Sequence, residues 1–167
     1  MGTAVAACIR CPLHESRTQT VFSRGNPNSK LMMIGVTPNM DVKASNLLSR
    51  MLSSIDLSDD DIYLTHLVKC ASSKHRIPNT EEMDKCVDYL NQQIALVTPT
   101  LIVAIGLIAA QFLLRSDLPL TTMRGKCHHF QGIPLLVSYH PDDLIHHPAD
   151  KKMAYEDLLQ VKQLLNA

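Results

Sequence analysis

The chain has 167 residues, which is enough for one domain with a substantial hydrophobic core and too few for two. Its 16 basic and 16 acidic side chains cancel, so any attraction to nucleic acid must come from a local basic patch. The apolar stretches are too short for a membrane span, and the N-terminus lacks the basic region of a secretory signal. Five cysteines in such a chain predict a reducing, cytoplasmic location, where thiols bind metals or take part in redox chemistry.

Four short apolar runs predict strands, and their nearly continuous hydrophobicity is typical of parallel strands that are buried on both faces. The runs span residues 31–36, 62–68, 101–106 and 134–139. Helical patterns, with apolar residues three and four positions apart, separate these runs. The alternation predicts a single domain over residues 1–167, an α/β/α sandwich of three layers around a central four-stranded parallel sheet. The longest segments predicted to be irregular are residues 69–79 and 116–133, and such segments often carry function.

The helix predicted after residue 79 has a recognisable beginning and end. Asn79 is a favoured residue type for a helix N-cap, and Glu81 and Glu82 follow in the first turn, where carboxylates interact favourably with the helix dipole. Pro99 is expected to end this helix before the next strand.

Four of the five cysteines fall into two pairs. Cys8 and Cys11 form a C-x2-C pair, and Cys70 and Cys86 form a C-x15-C pair much further along the chain. Four thiolates can hold a zinc ion or a cubane iron–sulfur cluster. Spacing alone leaves zinc, an iron–sulfur cluster and four unrelated cysteines open, because isolated buried cysteines are common. Cys127 stands apart from both pairs and is interpreted as a core thiol.

The order of the motifs narrows these alternatives. The chain runs from "CIRCPLHESRTQTVFSRGNPNSKLMMIG" through "YLTHLVKC" and "LIVAIG" to "SYHP". This order, from about residue 7 to the C-terminus, resembles the family 4 uracil-DNA glycosylases. The resemblance implies the fold of that superfamily and a [4Fe–4S] cluster. It also implies that the ligands of the cluster are Cys8, Cys11, Cys70 and Cys86.

The resemblance also assigns candidate catalytic residues. Uracil excision requires a flipped base, a hydrogen-bond donor for the departing base, and a group that orients water. The His-Pro after the last predicted strand matches the family motif, so His140 is the candidate donor, and a structural role at the strand end is the alternative. Asp41 is the candidate water-handling acid, although it is displaced by at least one position from the family's acidic run.

The remaining catalytic motifs depart from the family pattern. In "GVTPNMD", Gly35 and Pro38 match, but Val36 replaces a glutamate. The segment that supplies a stacking phenylalanine is absent, and His66 replaces the asparagine that reads the pyrimidine edge. Because an imidazole cannot offer the donor and acceptor of an amide in the same geometry, Gly35, Val36, Pro38 and His66 are interpreted as a base pocket or its remnant.

A short basic run precedes the second helix. Lys69, Lys74, His75 and Arg76 are candidate phosphate contacts, projected towards DNA by the cluster, and a solvated basic loop is the alternative.

Three functions follow from these observations. The leading hypothesis is a catalytically degenerate iron–sulfur protein of DNA replication or repair that binds DNA, a protein partner, or both. The shortened loop after the first strand also resembles the psi subunit of the bacterial replicative polymerase's clamp-loader complex, a partner-binding module. The second hypothesis is an active glycosylase for uracil or another deaminated base. A third is a metal site formed by the histidines of the last third of the sequence, which are His128, His129, His140, His146 and His147.

Overall fold

The structure is a computed structural model that describes residues 2–72 and 76–167, with Ser72 described by its backbone alone. The described strands are β1 (Arg17–Thr20), β2 (Arg24–Gly25), β3 (Leu31–Gly35), β4 (Ile62–His66), β5 (Cys70–Ser72), β6 (Leu101–Ile105), β7 (His128–Phe130) and β8 (Ile133–Ser138). The described helices are α1 (Gly2–Ala6), α2 (Leu13–Ser16), α3 (Val42–Ser53), α4 (Thr80–Val97), α5 (Leu107–Leu114), α6 (Leu120–Met123), α7 (Pro141–His146) and α8 (Lys151–Leu165).

The main sheet has the strand order β2-β4-β3-β6-β8-β7. Its four central strands, β4, β3, β6 and β8, are parallel, and both edge strands pair antiparallel with their neighbours. The predicted central sheet of four parallel strands is therefore confirmed. The two short edge strands were not predicted from the sequence, because neither has an apolar run of its own.

Both faces of the main sheet are covered by helices. Met32 and Ile34 of β3 point into a core formed with α4 and α5, while Leu31 and Met33 point into a second core formed with α3 and α8. Successive side chains of a strand point to opposite faces, so a strand buried on both sides needs an unbroken apolar run. This confirms the predicted three-layer α/β/α sandwich.

The segments that were predicted to be irregular contain short regular elements. Residues 69–79 include β5, and residues 116–133 include α6 and β7. Strand β5 pairs with β1 in a separate antiparallel sheet of two strands, in which Thr20 lies opposite Cys70. This small sheet holds the N-terminal segment, with Cys8 and Cys11, against the segment that follows β4.

Helix α4 begins as the sequence predicts. The Asn79 side chain accepts a hydrogen bond from the N–H of Glu82 at 2.9 Å, and the Glu82 carboxylate accepts one from the N–H of Asn79 at 3.0 Å. This reciprocal pair is a capping box, which satisfies two backbone donors at the helix start. The helix ends at Val97, and Thr98 is its C-cap in a left-handed conformation. The cap fixes the first turns of the helix that bears Cys86.

Candidate functional site

The carboxyl ends of the four parallel strands meet at one edge of the sheet, where ligands bind in open α/β folds. Strand β4 ends at His66, β3 at Gly35 and β6 at Ile105, and His140 follows two residues after β8. The structure thus brings the predicted residues Gly35, His66 and His140 to the same edge.

One ring nitrogen of His140 takes part in a hydrogen bond. It caps helix α7, and its Nδ1 accepts a hydrogen bond from the N–H of Asp142 at 3.2 Å. A neutral imidazole that accepts at Nδ1 carries its proton on Nε2. Burial lowers the pKa of His140, and the carboxylates of Asp142 and Asp143 offset part of that shift. At neutral pH the ring is therefore uncharged, and Nε2–H is a hydrogen-bond donor.

Two cavities flank His140, and both are also lined by Val36 and Thr37. The first has a volume of about 260 Å³ and combines apolar walls with Arg76 and Asp143. Its apolar residues are Val36, Ile77, Ile105, Leu107 and Ile108. The second is about 190 Å³ and is lined on its other side by Asn39, Met40 and Asp142. The imidazole thus lies between an apolar cavity and a more polar one.

His66 has a different environment from His140. His66 is 5% exposed, and neither of its ring nitrogens has a hydrogen-bond partner among the described residues. Burial lowers the pKa of His66 to about 3, with smaller contributions from the charges of Lys69 and His140. The ring packs closely on β3, since a Cβ on Gly35 would lie 3.0 Å from its Cδ2. His66 and Gly35 do not line either cavity beside His140, so His66 presents no polar edge to them.

Of the other residues predicted for the base pocket, Val36 lines both cavities beside His140, whereas Pro38 lines neither. Asp41 caps helix α3 and accepts a hydrogen bond from the N–H of Ala44 at 2.8 Å. Its carboxylate is not among the groups that line the two cavities.

The carboxylates of Asp142 and Asp143 act electrostatically on His140, and Oδ2 of Asp142 lies 3.4 Å from its Nδ1. Each of the two residues lines one of the two cavities. Sequence reasoning missed both, although "HPDD" places them directly after the His-Pro motif.

The described residues of the predicted basic loop lie in different environments. Lys69 is 1% exposed, so the prediction that it contacts DNA phosphates is corrected by its burial. Arg76 donates two hydrogen bonds to the carboxylate of Glu82, at 2.7 and 2.5 Å, and lines the first cavity. Its side chain remains 41% exposed. Lys74 and His75 lie outside the described residues.

The four predicted cluster ligands converge. Cys8, Cys11, Cys70 and Cys86 line one small and largely apolar cavity, together with Lys69 and Tyr89. All four are free thiols, whereas Cys127 is exposed and lies elsewhere, which corrects its interpretation as a core thiol. Within residues 2–72 and 76–167, no three His, Cys, Asp or Glu side chains form a group that could hold a single metal ion.

Polar groups lie around the cysteine cavity. Nη1 of Arg17 lies 3.6 Å from the sulfur of Cys70. The backbone N–H groups of Leu13 and Lys69 act to lower the pKa values of Cys11 and Cys86, respectively. The hydroxyl of Tyr89, which also lines the cavity, donates a hydrogen bond to the carbonyl of Ala4 at 3.4 Å. Hydrogen bonds to the sulfurs are a recurrent feature of iron–sulfur sites.

Burial also raises the pKa values of two of these thiols. The pKa of Cys86 rises to about 11, and that of Cys11 rises as well, although the N–H groups beside them partly oppose the shift. Without a metal, these thiols would be protonated at neutral pH. Metal binding deprotonates a thiol, so a donor set of four soft sulfurs with hydrogen-bonding neighbours fits an iron–sulfur cluster.

The histidines of the last third do not form one centre. His128 Nε2 contacts the carbonyl of Met123 at 2.7 Å, and Nδ1 of His146 contacts the carbonyl of Asp142 at 2.8 Å. These two rings are thus bound to nearby backbone and are not directed towards the other histidines.

In the part of the chain that the structure describes, no helix is both long and apolar enough to cross a membrane.

The position of His140 depends on Gly106, which leads to a testable prediction. Gly106 has φ +94°, and an added Cβ would lie 3.2 Å from the Cβ of His140. Gly106→Ala is expected to lower the free energy of unfolding by about 1–3 kcal/mol and to shift the NMR signals of the His140 ring. Gly125→Ala is the control, because Gly125 also has a positive φ but no atom within 4 Å of the added Cβ. Unchanged His140 signals in Gly106→Ala would contradict this account.

Comparisons with known proteins identify the family of this chain. A model of the uracil-DNA glycosylase superfamily matches residues 22–160. A type-4 uracil-DNA glycosylase of Archaeoglobus fulgidus is 30% identical, with 96% of this chain and 89% of that protein covered. The corresponding enzyme of Pyrobaculum aerophilum is 32% identical, with 90% and 86% covered. A DNA polymerase of Bacillus phage SP01 is 24% identical over 92% of this chain and 18% of that protein. The chain therefore belongs to the uracil-DNA glycosylase superfamily.

Proposed function

We propose that this chain is an iron–sulfur protein of DNA repair or replication that binds DNA and does not excise uracil efficiently. The observation that carries the proposal is the state of His66, the residue to which the sequence resemblance assigns the position of the base-reading asparagine. The ring is enclosed, its nitrogens have no partners among the described residues, and it lines neither cavity beside His140. A pyrimidine in those cavities would therefore find no hydrogen-bonding edge at residue 66.

The cysteine cavity supports the [4Fe–4S] part of the proposal. Its four thiols come from three separate parts of the chain, namely the segment between α1 and α2, strand β5 and helix α4. When bound, the cluster would cross-link these parts through the four bonds between its iron atoms and the cysteine sulfurs. Cross-links between distant residues restrict the unfolded chain and thereby stabilise the folded one.

DNA binding is supported by the rim of the first cavity beside His140. Arg76 lies there next to Ile77, which is 64% exposed. The Glu82 carboxylate orients the guanidinium of Arg76. Exposed apolar side chains beside arginine suit a distorted duplex or an unstacked strand, where they contact bases while the cation contacts phosphates. Lys74 and His75, the neighbouring members of the predicted basic run, are proposed to extend this contact.

A role beside the replication machinery has one further support. A domain similar to this chain makes up 18% of a phage protein named DNA polymerase. The resemblance to the psi subunit of a clamp-loader complex remains a prediction from the sequence.

The second candidate function is excision of another damaged base, and the state of His140 favours it. A neutral ring with its proton on Nε2 can donate a hydrogen bond to a base oxygen as the glycosidic bond breaks, which stabilises the leaving anion. The carboxylate of Asp143, on the wall of the same cavity, could orient the attacking water. In this mechanism His140 stabilises charge without giving up its proton, and Asp143 replaces the predicted role of Asp41.

An excision assay separates the two functions. Oligonucleotides with uracil, hypoxanthine or xanthine are incubated with the protein, and abasic sites are detected by strand cleavage in alkali. We expect the wild-type protein to produce no more cleavage at uracil than His140→Ala, with an active type-4 enzyme as the positive control. Uracil cleavage that depends on His140 would contradict the proposal. Cleavage at hypoxanthine or xanthine alone would establish the second candidate.

DNA binding is tested through Arg76. Arg76→Gln is expected to weaken binding to a fluorescent DNA duplex about fivefold and to reduce the salt dependence of binding by about one counterion, because one phosphate contact is lost. Arg115→Gln is the control, since Arg115 is also an exposed arginine with a carboxylate partner but does not line the cavities beside His140. Equal affinities for the two variants would contradict the proposed rim contact.

The cluster is tested by anaerobic purification. We expect brown protein with about four iron atoms per chain and a broad visible absorption band. Cys86→Ser should lose most of this absorption, whereas Cys127→Ser should retain it, because Cys127 lies outside the cysteine cavity. A colourless protein that contains zinc would contradict the assignment.

A further inference from the structure

Lys69 is a buried lysine whose hydrogen-bond acceptors among the described residues are all neutral. Its Nζ donates hydrogen bonds to Oγ1 of Thr65 at 2.6 Å, the carbonyl of His66 at 2.5 Å and Oε1 of Gln93 at 2.7 Å. None of the described carboxylates accepts a hydrogen bond from it. An ammonium group enclosed without an anion is unfavourable, because dipoles of neutral groups replace its hydration only in part.

The same residue lies against the cysteine cavity. Lys69 is one of the residues that line it, and Cys70 is the next residue along the chain. The cavity thus has a buried lysine on one of its walls. Four thiolates around an iron–sulfur cube leave a net negative charge, which is the partner that this cation lacks.

We propose that the ammonium group of Lys69 is the buried counter-charge of the cysteine-bound cluster and links the cluster to the end of β4. The inference rests on the proposed function, because it requires that the four cysteines hold a cluster. On one side the ammonium binds Oγ1 of Thr65 and the carbonyl of His66, and on the other the residue lines the cysteine cavity directly before Cys70. The charge of the cluster then stabilises the strand end that faces the nucleic-acid site.

A matched pair of lysines makes the inference testable. Lys69 and Lys85 each directly precede a proposed cluster ligand, and both line the cysteine cavity. Lys85 differs in that its side chain is 43% exposed and pairs with Glu81 at 2.7 Å. Its charge is therefore already compensated by a carboxylate and by water. Removing the charge at residue 69 should affect the cluster, and removing it at residue 85 should not.

The experiment measures loss of the cluster from full-length protein loaded with iron and sulfide under anaerobic conditions. Decay of the visible absorption is followed after addition of an iron chelator. We expect Lys69→Met and Lys69→Gln to lose the cluster about tenfold faster than the wild-type protein, and Lys85→Met to stay within about twofold of it. Lys69→Gln keeps a hydrogen-bonding side chain without the charge, so it decides the result if Lys69→Met does not fold.

A second readout uses the protein without iron. There the amino group has no anion beside it, and burial lowers its pKa to about 7. Lys69→Met should therefore melt at or above the temperature of the wild-type protein without iron, and below it when both proteins are loaded. Loaded Lys69→Gln that keeps its cluster as long as the wild-type protein would overturn the inference. A wild-type protein that takes up no cluster would overturn the proposed cofactor itself, and with it this inference.

Discussion

The convergence of four cysteine side chains on one cavity is the constraint on which the rest of the site depends. Secondary structure joins the segment between α1 and α2, strand β5 and helix α4 only weakly, since β5 pairs with β1 in a sheet of two strands and α1, α2 and β5 are each of five residues or fewer. Buried thiols whose pKa values are raised would contribute only as small apolar groups. With a metal centre, the same four groups become a cross-link that holds the N-terminal segment, β1 and β5 against the main sheet.

The cysteine cavity is connected to the edge of the sheet through β4 and α4. Lys69 follows β4, donates to the carbonyl of His66 and lines the cysteine cavity. Glu82 in the first turn of α4 orients Arg76 at the rim of the cavity beside His140. The cysteine cavity and the edge of the sheet are thus parts of one continuous arrangement. We favour binding without efficient uracil excision because the proposed base-reading position is an enclosed histidine, whereas Arg76 and His140 line a cavity at the edge of the sheet.

Much of the fold could be predicted from the sequence because the physical signals were local. Continuous apolar runs predicted four central strands, and Asn79 with the following acids predicted the start of α4. Edge strands β2 and β7 were missed because strands of two and three residues have no periodicity to detect. Residues 69–79 were interpreted as a basic loop, but Lys69 is enclosed in part by Gln93, which is 24 residues away in sequence. Asp41 was assigned to water handling, although an aspartate directly before a helix is also a common N-cap.

The central claim, that four cysteines hold an iron–sulfur cluster, is tested most directly by X-ray absorption at the iron edge of anaerobically purified protein. The account predicts iron surrounded by sulfur, with a second shell of iron atoms at the short distance of a cubane. Protein whose metal is zinc bound by sulfur at about 2.3 Å, with no iron–iron scattering, would contradict it.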